Sequence, residues 1–304
     1  METFAGDFST LWTLNQRPPI EHLTWDWWWW LVMLDDDEHP MAGKQLMVLW
    51  STKENDHVHI NDVEWKPKGT PGFDDQGAIQ IDGMVCAWWF DGSVMHDEII
   101  AKVCDMVVLP SNHASWPGEE GQGGGGAVVP LLEGDCSMGM LPDRSQFWLN
   151  LDLAHEAVQS IQLKMTPWNP AMSTAREATA TYLGSLGYDI LRLHGTKVSG
   201  IIDGEEVNGT AYFQKVCVQA PSVPWYWGVL HFSDGSYLDW FLPHLSTTIL
   251  SRDHREWKRR DVSHIAVSQG GLFHDAVHGR SERFKRVRVE KDRQDNNLPR
   301  FHVK

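Results

Sequence analysis

The sequence predicts a mainly β protein, built from antiparallel hairpins that form β-barrels or sandwiches with few helices. The first indication is a set of Asp-Gly pairs flanked by residues rich in Val, Ile, Trp, Tyr and Phe. Asp-Gly favours tight hairpin turns because both residues accept positive φ. The second is a period-two alternation of side chains, which is typical of strands. The pairs are Asp82-Gly83, Asp91-Gly92, Asp203-Gly204 and Asp234-Gly235.

Three further segments alternate clearly enough to be predicted as strands: HVHINDVEW (57–65), SQFWLNLDL (145–153) and VQSIQLKM (158–165). Helices are scarce. The best candidate is AMSTAREATATYLGSLG (171–187), because it has Ser and Thr near its start and Gly at its end. A second, short helix is predicted for the charged segment SRDHREWKRRD (251–261).

At 304 residues, the chain has the length of one large domain or two ordinary ones. The segment TPWNPAMST (166–174) breaks the strand rhythm, so we expect one β-domain over 1–170 and a second over 171–304. The low-complexity segment SWPGEEGQGGGGAVVP (115–130), with its Gly-rich part at 121–126, lacks the Gly-Lys-Ser/Thr of a phosphate-binding loop. It is either a flexible loop or a lid over a pocket mouth.

Charge is unevenly distributed, which bears on partners. The net charge is −15, but residues 251–304 hold 14 Lys and Arg against 8 Asp and Glu. The acidic body argues against a nucleic-acid partner. The basic tail is a solvated face, docks on the acidic body or binds a polyanion. No apolar run is long enough for a membrane span, and the N-terminus resembles no signal or transit peptide. We therefore expect a cytoplasmic protein.

Neither a metal nor a cofactor is expected. The four cysteines show no Cys-x-x-Cys spacing, which favours a reduced cytoplasmic setting, with two disulfides as the alternative. His57 and His59 share a strand face, and HDAVH (274–278) places two histidines four residues apart, but neither set has an obvious third ligand. The sequence also lacks a Gly-x-Ser-x-Gly elbow and a dinucleotide-binding fingerprint.

The segment TWDWWWWLVML (24–34) concentrates five tryptophans within six positions. In a strand, Trp25, Trp27 and Trp29 would lie on one face and Asp26, Trp28 and Trp30 on the other. Both faces are largely apolar, so both must be covered. Burial among these rings would favour the neutral form of an unpaired Asp26, which makes it a candidate general acid or orienting group. The alternative is an acid at a strand edge, exposed or capped by backbone N–H.

A second aromatic segment, VPWYWGVLHF (223–232), is followed by the alternating Tyr237, Asp239 and Phe241. In a strand, Trp225, Trp227 and His231 would share one face. Trp and Tyr combine bulk with a polar tip, which suits a pocket for a large apolar ligand that carries a few oxygens. Ordinary core packing is the alternative.

These segments carry a family resemblance. VNGTAYFQKVCVQAPSVPWYWGVLHFSDGSYL (207–238) resembles the second half of the carotenoid 1,2-hydratase and AttH-like family, which is related to lipocalins. That family has a V-x-G-x-A/G-W/Y strand, an Asp-Arg/His pair, a W-x-W strand and a Phe/Leu-x-Asp-Gly turn, in this order. WDWWWWLVML (25–34) is similar to the family's N-terminal E-W-W-Y/F strand, with Asp26 in the acidic position.

The resemblance implies two lipocalin-like β-domains with a ligand pocket in or between them. Hydratases of the family add water to an isoprenoid double bond; related fungal proteins include kievitone hydratase-like enzymes and decalin-forming pericyclases, and none needs a redox cofactor. We therefore expect a cofactor-independent enzyme that hydrates, cyclises or isomerises a bulky terpenoid, carotenoid or polyketide-like substrate. The alternatives are a non-catalytic carrier and a structural or interaction module. Peripheral membrane contact would help either ligand-binding protein to collect its ligand.

One departure from the family affects the chemistry. Gln214-Lys215 replaces the Asp-Arg/His pair, and Gln cannot transfer a proton near neutral pH. A hydratase would then need another acid, for which Asp26, Asp239 and Glu64 are candidates. A cyclase would need only positioning and a polarised carbonyl, which Gln214 and Lys215 can supply. The expected catalytic residues are Asp26, Asp239, Gln214 and Lys215, and the expected substrate-binding residues are Trp27, Trp29, Glu64, Tyr212, Trp225, Trp227 and His231. We expect Trp225, Trp227 and Gln214 opposite Asp26.

Overall fold

The structure is a computed structural model. It describes residues 2–14, 18–20, 23–35, 41–53, 58–60, 63–65, 71–96, 98–110, 125–129, 136–153, 155–178, 186–220, 225–245, 265–266, 269–293 and 299–304. Every regular element in these ranges is a β-strand, which confirms the predicted mainly β class. The chain divides into two compact units, Met1–Ala220 and Pro221–Lys304.

The strands of the first unit are β1 Thr24–Leu34, β2 Gln45–Lys53, β3 Val58–Ile60, β4 Val63–Trp65, β5 Gly72–Phe73, β6 Ile79–Phe90, β7 Ile100–Leu109, β8 Gly125–Val128, β9 Cys136–Met140, β10 Phe147–Asp152, β11 Ser160–Ala178, β12 Gly187–Ile202 and β13 Glu205–Gln219. Those of the second are β14 Trp225–His231, β15 Tyr237–Leu245, β16 Ile265–Ala266, β17 Gly270–Asp275, β18 Arg280–Phe284, β19 Val289–Arg293 and β20 Pro299–Val303.

Ten described strands of the first unit close into an antiparallel barrel, in the order β2-β1-β13-β12-β11-β10-β9-β8-β7-β6, with β6 pairing back onto β2. Closure pairs every one of these strands on both sides, so the barrel has no free sheet edge. The short β5 adds to β6, and β3 pairs with β4 as a separate hairpin. The arrangement places β1, with its tryptophans, between β2 and β13.

The barrel interior is filled by the side chains on one face of each strand, because successive side chains of a strand point to opposite faces. On β1, Trp28, Trp30 and Val32 are completely buried, whereas the intervening odd-numbered residues are only partly buried. The Trp30 ring lies 5.4 Å from that of Phe147 on β10 and 4.6 Å from that of Phe213 on β13. Interior residues therefore meet from strands that are far apart in sequence. Burial of each large apolar side chain contributes about 1.5–3 kcal/mol.

The N-terminal segment covers the end of the barrel at which β1 and β10 begin. Phe4, Leu11 and Trp12 are buried in the same core as the barrel residues. The Trp28 indole N–H donates to the carbonyl of Leu11 (2.7 Å), and the Trp12 and Trp28 rings stack with centroids 6.5 Å apart. The backbone N–H of Phe4 donates to the carbonyl of Arg144. These contacts fix the segment to the barrel although it forms no strand of the barrel.

The Asp-Gly pairs have different outcomes. Asp203 and Gly204 join β12 to β13 with φ of 51° and 86°, the left-handed conformation that a type I′ turn requires. Asp91-Gly92 and Asp234-Gly235 also lie between strands. The turn predicted at Asp82-Gly83 is wrong, because both residues lie inside β6 and pair with Asp105 and Cys104 of β7. The long alternation of β6 prevails over the local turn preference.

The helix predicted over 171–187 is wrong for residues 171–178, which continue β11 and pair with β12. The broken rhythm of TPWNPAMST corresponds instead to register shifts between Pro167 and Asn169 and between Asn169 and Met172. β11 thus runs without interruption through the expected domain boundary at 170/171. The compact units divide after Ala220, because β11, β12 and β13 all belong to the barrel.

The segment 57–65 was expected to be one strand, but β3 and β4 within it form a hairpin in which Val58 pairs with Trp65. The two ends of the segment therefore pair with each other, and the chain reverses direction between β3 and β4. The helix predicted over 251–261 and residues 115–124 of the low-complexity segment lie outside the described residues.

The second unit contains an antiparallel sheet in the order β14-β15-β17-β18, with β16 pairing with β15, and a separate hairpin of β19 and β20. Trp240 and Leu242 of β15 pack with Val287 and Val289 in its core. The Asp234-Gly235 hairpin joins β14 to β15 and places Val229 directly opposite Asp239.

Gly125 gives a test of the N-terminal contact. A Cβ atom at Gly125 would overlap the indole ring of Trp12, so we expect Gly125→Ala to lower the free energy of unfolding by about 1–3 kcal/mol. Urea unfolding would measure this. Gly72→Ala is the matched control, because its nearest contact across the strands would be the Gln80 carbonyl oxygen at 3.8 Å, an ordinary van der Waals distance. If Trp12→Ala does not reduce the cost of Gly125→Ala in a double-mutant cycle, the assigned contact is wrong.

Candidate functional site

An ion pair lies inside the barrel at the end covered by the N-terminal segment. Asp26 occupies an interior position of β1, opposite Cys217 of β13 and Thr52 of β2. Lys215 lies on the same interior face of β13 as Cys217 and pairs with Trp28 of β1. Its Nζ donates to Asp26 Oδ1 at 3.2 Å. Asp26 is 5% exposed and Lys215 1% exposed, so both charges are removed from water.

The surroundings of Lys215 explain how its ammonium is held. Nζ lies 3.9 Å from the centroid of the Trp28 ring and also donates to the carbonyl of Val216 at 3.3 Å. A desolvated cation over an indole gains about 2 kcal/mol from the ring quadrupole. The carboxylate, the indole face and a carbonyl therefore replace the water that a lysine usually keeps.

A thiol borders the ion pair. Cys217 lies next to both Asp26 and Lys215. Burial raises the pKa of its thiol to about 12; the charge of Asp26 adds to this effect and the charge of Lys215 opposes it. Cys217 is therefore a neutral thiol at physiological pH and a poor nucleophile. Across β13 from Asp26, the partly exposed Asp189 of β12 pairs with Cys217.

Polar contacts close the barrel end beyond the ion pair. The Thr24 hydroxyl donates to Gln219 Oε1 at 2.6 Å, and Gln219 Nε2 donates to the carbonyl of Pro18 at 3.0 Å. The Thr24 hydroxyl oxygen also accepts a hydrogen bond from the backbone N–H of Ile20 at 2.8 Å. This layer joins the ends of β1 and β13 to the chain that precedes β1, and it lies between the ion pair and the barrel opening.

The expected site residues of the first unit fall on two sides of the barrel wall. Asp26 and Lys215 face the interior. Trp27, Trp29 and Gln214 belong to the alternate, outer side of their strands, and Trp29 pairs directly with Gln214. Tyr212 shares that outer side, with its ring 6.1 Å from Trp29 and 6.0 Å from His194. The structure therefore brings Asp26 together with Lys215 and not with Gln214.

Four expected residues belong to the second unit: Asp239, Trp225, Trp227 and His231. The Trp227 indole donates to Asp239 Oδ1 at 2.9 Å. Burial raises the pKa of Tyr237 to about 12, and the charge of Asp239 adds to this effect. His231 pairs with Tyr237 across β14 and β15, whereas Trp225 is 50% exposed. The placement of Trp225 and Trp227 opposite Asp26 stays a prediction.

The structure also settles the placement of the other polar candidates. Glu64 lies in β4, where it pairs with His59. His274 lies in β17, and His278 lies in the following turn with its ring 2.7 Å from the Asp275 carboxylate, so HDAVH does not form a helix. Among the described residues, no group of three His, Cys, Asp or Glu side chains could hold a metal ion. The described ranges also contain no helix long and apolar enough to cross a bilayer.

The pairing of Asp26 with Lys215 was not anticipated from the sequence. A signal for it exists in FQKVCVQ (213–219), where Phe213, Lys215 and Cys217 alternate on one side of the strand. A lysine in phase with apolar residues indicates a buried ammonium, which requires a partner. The register that brings it to Asp26 could not be derived, because the two residues are 189 positions apart.

The fold resembles a solved structure. A crystal structure from Nitrosomonas europaea, described as a putative AttH, matches with a TM-score of 0.50 and 13% sequence identity. The match covers 95% of this chain and 82% of that chain. At this identity the likeness concerns the fold alone, and the closed antiparallel barrel is consistent with a lipocalin-like fold. No protein-family model and no curated protein matches the chain.

A buried ammonium beside a carboxylate offers two chemical functions in one place. The ammonium can donate a hydrogen bond to an oxygen on which negative charge develops. The carboxylate, when ionised, accepts protons and hydrogen bonds only. Both act more strongly in a dry interior than in water. The site is therefore suited to polarising a carbonyl group while a base takes a proton from a neighbouring atom.

Removing one partner of this pair should destabilise the fold. Lys215→Met would leave the Asp26 carboxylate buried without its partner, and we expect a loss of about 3–5 kcal/mol in the free energy of unfolding. The double variant Asp26→Leu/Lys215→Met removes both charges and should recover most of this loss. Denaturant unfolding of the three proteins tests the pair. Equal stability of Lys215→Met and the unchanged protein would contradict it.

Thiol reactivity tests the burial of the site. Burial raises the pKa of Cys86, Cys104 and Cys217 to about 12, so these thiols stay protonated at pH 8. We expect all three to react slowly with Ellman's reagent in the native protein and rapidly in guanidinium chloride. Peptide mapping after alkylation would identify each residue. Rapid modification of native Cys217 would show that reagents reach the ion pair.

Proposed function

We propose that this lipocalin-like protein is a cofactor-independent enzyme that binds a bulky hydrophobic molecule carrying an oxygen function and cyclises or isomerises it at Asp26 and Lys215. The observation that carries the proposal is the Asp26–Lys215 ion pair, held at 3.2 Å inside a barrel whose other interior residues are mostly apolar. The likeness to an AttH-like fold supports a ligand-binding barrel.

The cost of the ion pair favours a functional role. Two buried charges lose more hydration than their attraction usually returns, and well-packed apolar residues at the same positions would be as stable or more stable. The neighbours Trp28, Trp30 and Trp50 show that large apolar side chains fit this part of the barrel. Stability alone therefore does not require a charged pair here, whereas acid–base chemistry does.

The proposed mechanism assigns one role to each charge. Lys215 donates a hydrogen bond to a carbonyl oxygen of the substrate and stabilises the enolate-like charge that develops there. Asp26 removes a proton from the adjacent carbon and returns it at another position, or the polarised substrate closes a ring while the aromatic walls hold its shape. Trp28 holds the ammonium in place through the contact at 3.9 Å.

The ion pair favours cyclisation or isomerisation over hydration. Hydration of an unactivated alkene begins with proton transfer from an acid to carbon. Lys215 Nζ donates to Asp26 Oδ1 at 3.2 Å, so this carboxyl oxygen acts as a hydrogen-bond acceptor in the pair and not as the proton donor that hydration needs. The resemblance to hydratases therefore supports the class of substrate, a terpenoid or polyketide-like molecule, more than it supports the hydration step.

A carrier is the second candidate, and the covered end of the barrel favours it. The contacts of Leu11 and Trp12 with Trp28 close the barrel over the ion pair, as a protein that stores a ligand away from water would require. In that case the ion pair would fix the oxygen end of the ligand without reaction.

Asp239, whose carboxylate accepts a hydrogen bond from the Trp227 indole, is the candidate acid of the second unit.

The test is turnover of a panel of terpenoid, polyene and polyketide-like carbonyl compounds. We expect Asp26→Asn and Lys215→Met each to lower the rate by a factor on the order of 10²–10⁴, because each removes one partner of the proton transfer. Asp105→Asn and Lys197→Met are matched controls at exposed positions and should keep full activity. Product analysis by mass spectrometry separates isomers from hydrates.

Three outcomes would contradict the proposal. Full activity of both Asp26→Asn and Lys215→Met would remove the ion pair from the reaction. Loss of activity in Asp239→Asn or Glu64→Gln alone would move the site to those residues. Binding of the panel without turnover, at equal affinity in all variants, would favour the carrier.

A further inference from the structure

We infer that Lys215 captures a long apolar aldehyde as a Schiff base, with Asp26 as its counter-ion. The inference rests on the proposed interior ligand site and names its ligand class. The residues that carry it are the amine, the carboxylate at 3.2 Å and the indole at 3.9 Å. None of these contacts prevents the amine from reacting with an aldehyde that lies beside it.

The choice of nucleophile follows from the groups that surround the site. Cys217 is the other nucleophilic side chain next to the ion pair, and burial keeps it a neutral thiol. A lysine amine in an apolar site condenses readily with carbonyl carbons. Because Lys215 is almost completely buried, its amine is shielded from molecules in bulk solvent, and only a ligand that enters the interior can meet it.

Asp26 provides the proton transfers that the condensation needs. The Lys215 ammonium passes one proton to Asp26, and the neutral amine attacks the aldehyde carbon to form a carbinolamine. Asp26 returns the proton to the hydroxyl group, the C–O bond breaks and water leaves. The products are a protonated imine, one water molecule and the Asp26 carboxylate. No atom is oxidised or reduced, so the step needs no further reactant.

The site fits the product as well as the reactants. The protonated imine carries the same positive charge as the ammonium, beside the same carboxylate and over the same Trp28 ring. The buried aromatic residues Trp30 and Trp50 make this part of the interior apolar, which suits the hydrocarbon chain attached to the imine carbon. Exclusion of water by the N-terminal segment slows hydrolysis of the imine. An aldehyde with a long hydrocarbon chain satisfies all of these conditions.

The experiment uses all-trans-retinal as the probe, because it combines an aldehyde with a long apolar chain and its protonated imine absorbs at longer wavelength than the free aldehyde. The full-length protein is incubated with the probe and then with sodium cyanoborohydride, which reduces imines to stable amines. Intact mass and peptide mapping report the number and the position of adducts. We expect one adduct per chain, on Lys215, together with a red-shifted absorption before reduction.

Variants separate capture at Lys215 from reaction at the surface. Lys215→Met should lose the adduct, whereas Lys197→Met, which removes an exposed lysine of β12, should keep it. Asp26→Asn should slow adduct formation at least about tenfold. It should also shift the imine absorption to shorter wavelength, because an imine without its counter-ion loses its proton more easily and the neutral imine absorbs at shorter wavelength. If Lys215→Met does not fold, the peptide map of the unchanged protein still identifies the modified lysine.

Retinol distinguishes failure of this inference from failure of the proposed function. It has the same chain but no aldehyde, and its binding is followed by quenching of tryptophan fluorescence. Binding of retinol without a Lys215 adduct from retinal would overturn aldehyde capture and leave the interior site standing. No binding of retinol and no adduct would overturn both for this class of ligand. Adducts spread over exposed lysines, unchanged in Lys215→Met, would also overturn the capture.

Discussion

The register of β1 between β2 and β13 is the constraint on which the rest of the barrel depends. Because side chains alternate with a period of two, this register alone decides that Trp28 and Trp30 fill the interior and that Trp27 and Trp29 do not. A shift by one residue would exchange the two sets. The same register places Asp26 beside Cys217 and brings Lys215 within reach, so packing and chemistry share one cause.

The buried ion pair depends on the packing of the whole barrel. Two charges can remain at this depth only while carboxylate, indole and carbonyl groups stay in place around the ammonium. The contact of Leu11 with Trp28 ties the N-terminal segment to one of these groups. A ligand that enters from this end must therefore either pass the segment or move it, and movement there changes the surroundings of the ammonium.

The sequence was sufficient for features that depend on local chemistry. Alternation predicted that 24–34 is a strand with Asp26, Trp28 and Trp30 on one face, and the Asp203-Gly204 turn followed from the φ preferences of two residues. It failed where tertiary pairing prevails over local preference, as in Asp82-Gly83 within β6 and residues 171–178 within β11. The candidate site was predicted only in part, because Asp26 and Lys215 were both named but their pairing depends on strands 189 residues apart.

The closure of the barrel also has a consequence for biosynthesis. β1 ends at Leu34 but its partner β13 ends at Gln219, so this pairing must wait until the whole chain between them has been made. Until then a strand with five tryptophans has one side without its final neighbour. Loop-closure entropy makes such distant pairings slow, and exposed apolar strands aggregate during the delay. Production of the protein should therefore benefit from slow translation at low temperature and from chaperones that shield nascent chains.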